Sequence, residues 1–113
     1  MIDLDRHVAA PIVTSVRAYL RALKDAGLDP AFAVVFGSQV RGTTDPWSDI
    51  DLVIVAPALD GGSNAGTVGL LWRVAARTDS RIEPIPCGTR QWEEDDTSAL
   101  LEVARREGVR IAA

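Results

Sequence analysis

Apolar residues recur at Ile12, Val16, Tyr19, Leu20 and Leu23, with Arg17, Arg21 and Lys24 on the opposite side. That helical spacing predicts a helix from about residue 9 to 26, ended by Gly27 and turned by Asp29-Pro30. The pattern then changes. "AFAVVF", residues 31–36, is a short continuous apolar run followed by glycine, which suits a buried strand. "DIDLVIV", residues 49–55, alternates with period two, placing Asp49, Asp51, Val53 and Val55 on one face and Ile50, Leu52 and Ile54 on the other. Val68, Leu71, Trp72 and Ala75 predict the inward stripe of a helix over about 65–78, and Leu100, Leu101, Val103 and Ala104 that of a last helix over about 94–106, with acids 93–96 at its start and Gly108 at its end. Between them "RIEPIP", 81–86, is expected to be a short strand whose prolines put it at an edge. "TTDPWSD", 43–49, and "PALDGGSNAG", 57–66, read as loops, and "VRIAA" as a tail. Helices and strands alternate, so the expected fold class is α/β or α+β: one small sheet covered by helices, forming a single domain over 1–113.

Composition and charge narrow the function. The 12 Lys and Arg against 16 Asp and Glu give a net charge of −4, and the charges are dispersed. No basic stripe is available to neutralise phosphates, so a nucleic-acid partner is not expected. The opening "MIDLDRHVAAPIV" lacks the basic start and apolar stretch of a signal peptide, and no apolar run approaches the ~20 residues needed to cross a bilayer. A cytoplasmic location without membrane insertion is therefore expected. A single His7 and a single Cys87 exclude a His or Cys metal cluster within the chain. His7 is expected at the surface and Cys87 half-buried as a small apolar residue.

The candidate chemistry begins at "GSQVRGTT", residues 37–44. A glycine, four residues and a second glycine behind a strand outline a phosphate loop, but the residue after Gly42 is Thr43, not lysine, and no helix is expected to start at the second glycine. That reading fails. A longer pattern succeeds: Gly37-Ser38, ten residues, then Asp49-Ile50-Asp51. Four specified residues over about a hundred starting points meet by chance on the order of once in a thousand. Two carboxylates on one strand face can bridge a pair of metal ions ~3.5–4 Å apart, and Mg²⁺ takes carboxylate and phosphate oxygens. A glycine at a strand end lets the backbone approach a phosphate, and the Ser38 hydroxyl adds a donor. Acids leading a face that continues as Val53 and Val55 need a partner or a metal. Glu83 is the one acid within a strand-like segment after Asp51, which makes it the candidate third ligand.

Gly37-Ser38, the spacer with Arg41-Gly42 and Ser48, and "DIDLVIV" together resemble the minimal nucleotidyltransferases of the DNA polymerase beta superfamily. The resemblance follows the element order of the whole chain and is specific over residues 35–55. It implies an α/β nucleotidyltransferase fold with a small mixed sheet, and transfer of a nucleoside monophosphate from a triphosphate, with ATP the expected donor, to a hydroxyl. It further implies two Mg²⁺ ions on Asp49, Asp51 and Glu83, Gly37 and Ser38 on the β and γ phosphates with Arg41 among the nucleotide-binding residues, and Glu83 as ligand and base at the acceptor hydroxyl. Many such relatives carry arginine after the serine, where this chain has Gln39, and aspartate as the third acid. Small members include antitoxins that add AMP to a tyrosine of a helical HEPN toxin, so the resemblance implies such a toxin or another acceptor protein as partner, with a small-molecule hydroxyl the other acceptor. The alternative is a non-catalytic binding module of the same fold that acts by protein-protein contact, with Trp47 or Trp92 as anchors; otherwise both tryptophans are expected to pack at the core edge or in loops.

Overall fold

A computed structural model describes residues 8–42, 44–45 and 47–113. His7 and two residues of the 43–49 stretch, Thr43 and Pro46, lie outside the described residues. Four strands form one sheet in the order β3-β2-β1-β4: β1 (Phe32–Phe36), β2 (Ile50–Ala56), β3 (Ile82–Gly88) and β4 (Val109–Ala112). β1 runs antiparallel to both β2 and β4, while β2 and β3 are parallel. A parallel pair requires a crossover. It is supplied by a short helical turn, Pro57–Leu59, and the helix α3, Ala65–Thr78.

The sheet is buried on both faces, which is why β1 reads as a continuous apolar run and β2 is apolar on both faces after Asp51. Ile50, Leu52 and Ile54 pack under α3 and the first helix, α1 (Ala10–Asp25), with Val16, Tyr19, Leu23, Leu71 and Val74. Val53 and Val55 face the other way, against Cys87, Trp92, Leu101 and Ala104 from β3, α4 (Thr89–Glu94) and α5 (Ala99–Glu107). The result is three layers: α1 and α3, the mixed sheet, then α4 and α5. Each fully buried Val, Leu or Ile contributes roughly 1.5–3 kcal/mol. The Tyr19 hydroxyl, buried between α1 and α3, donates to the Leu71 carbonyl at 3.0 Å, and burial raises its pKa well above the ordinary range.

The structure departs from the sequence expectations at five places. The helix expected over 94–106 starts only at Ala99, as α5, and a separate helix, α4, ends at Glu94 before it, because Asp95 accepts from Thr97 in a turn and Ser98, not the 93–96 acids, caps α5 by accepting from the Leu101 amide at 3.2 Å. The tail forms β4, whose Ile111 packs into the core. On α3 the inward stripe is Leu71, Val74 and Ala75, and Trp72 is exposed. Cys87 is fully rather than half-buried, and burial pushes its thiol up to about 11. Trp92 takes the packed role, edge-to-face with Phe32, whereas Trp47 stands 87% exposed.

Candidate active site

β1 ends at Phe36, and the chain turns through Gly37 into a single helical turn, α2 (Ser38–Arg41). Gly37 has φ +76° and ψ −144°, a conformation all but restricted to glycine. A side chain would also crowd the site: a Cβ there would stand 2.6 Å from Asp51 Oδ2, so the carboxylate would have to move. The glycine thus lets the backbone lie directly against a carboxylate. α2 then stops at Gly42, in the left-handed region at φ +76°. A P-loop helix would start at its second glycine, so the geometry is the reverse of that motif.

Across the sheet Phe36 pairs with Asp51, and Asp51 pairs with Glu83 on β3. The period-two strand places Asp49 on the same face, two residues before Asp51. Asp49 is exposed; Asp51 and Glu83 are half-buried. Desolvation first, then the charges of Asp49 and Asp51 and hydrogen bonding to both, push the Glu83 carboxyl above its ordinary pKa. The structure therefore brings Gly37, Asp49, Asp51 and Glu83 to one end of the sheet, with Ser38 half-buried at the head of α2. Arg41 sits at the last turn of α2, exposed, and pairs with Glu107 of α5 at 3.1 Å.

Two supports were not legible in the sequence. The Gln39 amide is buried and donates to the carbonyls of Ser48 at 3.4 Å and Asp49 at 3.1 Å, so it ties α2 to the start of the aspartate strand. Nothing but its place after Ser38 marks it. Asp79, at the end of α3, clasps Arg81: its Oδ1 accepts from the Arg81 amide and Nε, both at 3.0 Å, and its Oδ2 from Nη2 at 2.7 Å. The Arg81 carbonyl in turn accepts from the Ile50 amide at 2.8 Å. That chain of bonds sets the register in which Glu83 meets Asp51. The Arg81 guanidinium holds the Asp79 carboxyl down at about 2. An acid two residues before an arginine ahead of a strand is a faint signal.

Among the described residues no group of three or more His, Cys, Asp or Glu side chains stands in a finished metal-binding arrangement. The three carboxyls are instead close enough to act on one another, and the charges that raise Glu83 are both negative. The donor set fits a hard divalent cation: oxygen only, reachable from solvent, and carrying a repulsion that a cation would relieve.

A family model for the nucleotidyltransferase domain matches residues 16–100. The chain belongs to that family. The matched region of this nucleotidyltransferase domain holds Gly37, Ser38, both aspartates and Glu83. Its fold is shared with a crystal structure of a toxin-antitoxin with AMP-PNP, at a TM-score of 0.60 and 19% sequence identity, covering 88% of this chain and 71% of that one. No curated protein matches the sequence.

Proposed function

We propose that the domain transfers a nucleoside monophosphate, AMP from ATP, to a hydroxyl on a partner protein or a small molecule, and that it serves in this way as an antitoxin. The observation that carries the reading is the in-register meeting of Asp51 and Glu83, with Asp49 on the same face and Gly37 pressed against Asp51. The likeness to a toxin-antitoxin with AMP-PNP supports an adenine nucleotide as donor and a protein as acceptor; a helical HEPN toxin is the partner class to try first.

Asp49, Asp51 and Glu83 would hold two Mg²⁺ ions, which supply charge neutralisation at the phosphates. Gly37 lets the backbone approach the β and γ phosphates, and the Ser38 hydroxyl and the first amides of α2 donate to them. The acceptor hydroxyl oxygen attacks the α-phosphorus, the bond from that phosphorus to the β-bridging oxygen breaks, and pyrophosphate leaves. Glu83 is placed to take the hydroxyl proton. A second reading, binding by contact alone, is favoured by one feature: Gln39, in the place where relatives carry arginine, is spent on backbone carbonyls and leaves no cation there.

The test is thermal unfolding with ATP, GTP, CTP and UTP, with and without Mg²⁺, for wild type and Asp51→Asn. Ligand at ~100 times its Kd adds about 2.7 kcal/mol, which at roughly 4–8 °C per kcal/mol is a large shift for a domain of this size. A Mg²⁺-dependent shift with ATP that Asp51→Asn abolishes is expected. No shift with any triphosphate would sink the transferase reading and leave the contact-only one.

A further inference from the structure

We propose that the outer edge of β4 and the basic groove beside it form a docking site for an acidic, extended segment of a partner protein. The two edges of the sheet are built differently. β3 carries Pro84 and Pro86 at alternate positions. Neither can donate a ladder hydrogen bond, so both face away from β2 and blunt that edge. β4 has no proline, and among the described residues no strand pairs with its outer side. Its free amides and carbonyls can accept another strand, a common mode of peptide recognition.

Beside the Ala112 end of that edge lies a groove of about 680 Å³, lined by Arg17, Arg21 and Lys24 of α1 together with Asp29, Pro30 and Ala112. The three cations are exposed, and none enters an ion pair among the described residues. Against them stands one acid, Asp29, in a chain whose net charge is −4. Positions 17, 21 and 24 share one helix face and span about 10 Å at 1.5 Å per residue. Same-face residues of a strand recur about every 6.8 Å. A strand that completed the β4 ladder and carried acids at alternate positions would offer carboxylates to these cations at the Ala112 end, where the groove meets the edge. A free anion would use the charge but not the edge, and an uncharged strand the edge but not the charge.

The opposite end of the same edge leads to the carboxylates. Val35 pairs with Val109, and the next residue, Phe36, pairs with Asp51. A strand added beyond β4 lies three strand spacings from β2, about 14 Å. Its flanking residues can carry a hydroxyl across that gap. This delivery rests on the transferase reading, whereas the docking does not.

The probe is a fluorescein-labelled seven-residue peptide of alternating glutamate and valine, followed by anisotropy with the intact protein and no nucleotide. Saturable binding is expected. It should weaken at least about tenfold in Arg17→Glu/Arg21→Glu, and equally when the peptide's glutamates are replaced by lysine. It should also weaken about tenfold when alternate peptide amides are N-methylated, which removes edge pairing and keeps the charge. Both arginines are exposed, so an unchanged unfolding temperature of the double variant verifies its fold. Absence of saturable binding, indifference to charge reversal, or equal binding of the N-methylated peptide would each overturn the proposal; the last would mark a simple anion patch. None of these outcomes depends on nucleotide turnover, so the transferase reading stands or falls separately.

Discussion

Gly37 shows how tightly one residue couples backbone to chemistry. Its φ of +76° disfavours any side chain, and an added Cβ would stand 2.6 Å from Asp51 Oδ2, so the carboxylate would have to shift. Gly37→Ala is expected to cost about 1–3 kcal/mol of stability from the backbone conformation alone, and to displace the Asp51 carboxylate, so that any divalent-cation or nucleotide stabilisation weakens. Urea unfolding with and without Mg²⁺ and ATP checks both parts. A second residue-scale prediction concerns Asp79. Its folded pKa is about 2, below the ordinary 3.8, so its ionised form contributes stability at pH above about 4 that is lost as the pH falls toward 2. Its side chain is 12% exposed and that of Arg81 31%, so partial solvent screening limits the contribution to about 1–2 kcal/mol. Asp79→Asn should be less stable than wild type by that amount at pH 7, with the gap closing as the pH drops from 4 toward 2. A gap independent of pH would mean the clasp is not ionic.

At the scale of elements, what the sequence made legible follows from how each element is stabilised. β2 announced itself because both faces are buried and alternate by type, so the period-two pattern by itself places Asp49 and Asp51 on one face. β3 was legible as an edge from Pro84 and Pro86, and Glu83 with it. β4 was not, because "VRIAA" holds few residues and its stability comes from pairing with β1, a contact distant in sequence. The division between α4 and α5 hinged on Ser98, whose capping role is hidden by the acids just before it. Spacing alone points Trp72 inward, yet the buried stripe of α3 is Leu71, Val74 and Ala75. Gln39 was visible only as a departure from an arginine, and its structural use emerges from the pairing of α2 with the residues before β2. Gln39→Leu removes one donor shared by two carbonyls and should cost about 1 kcal/mol while leaving the fold intact. Because Asp49 is then untethered, the variant should need a higher Mg²⁺ concentration to reach the same thermal shift in ATP. An unchanged Mg²⁺ dependence would show that Asp49 is held by β2 alone.

For the molecule as a whole, the cluster of Asp49, Asp51 and Glu83 sets stability against the proposed transfer chemistry. Burial and two neighbouring carboxylates raise the Glu83 pKa, and the sign of that shift is opposite to that of Asp79. A carboxyl whose folded pKa lies above its unfolded value destabilises the fold once it is ionised, and the penalty is relieved as the pH falls through the folded pKa. At neutral pH without divalent cations, the domain therefore carries a repulsion that its sheet and three layers must outweigh. Glu83→Gln keeps the size of the side chain and removes one charge of the three. It is expected to unfold a few degrees above wild type in chelator, as removal of strained functional groups commonly stabilises a protein, and to lose most of the stabilisation that Mg²⁺ and ATP give wild type. Calorimetric scans of both proteins at neutral pH, in chelator and in Mg²⁺ with ATP, provide the four values needed. If Glu83→Gln were destabilised in chelator and still responded fully to Mg²⁺ and ATP, the glutamate would be a packing residue of β3, and the cation site would have to be built from Asp49 and Asp51 without it.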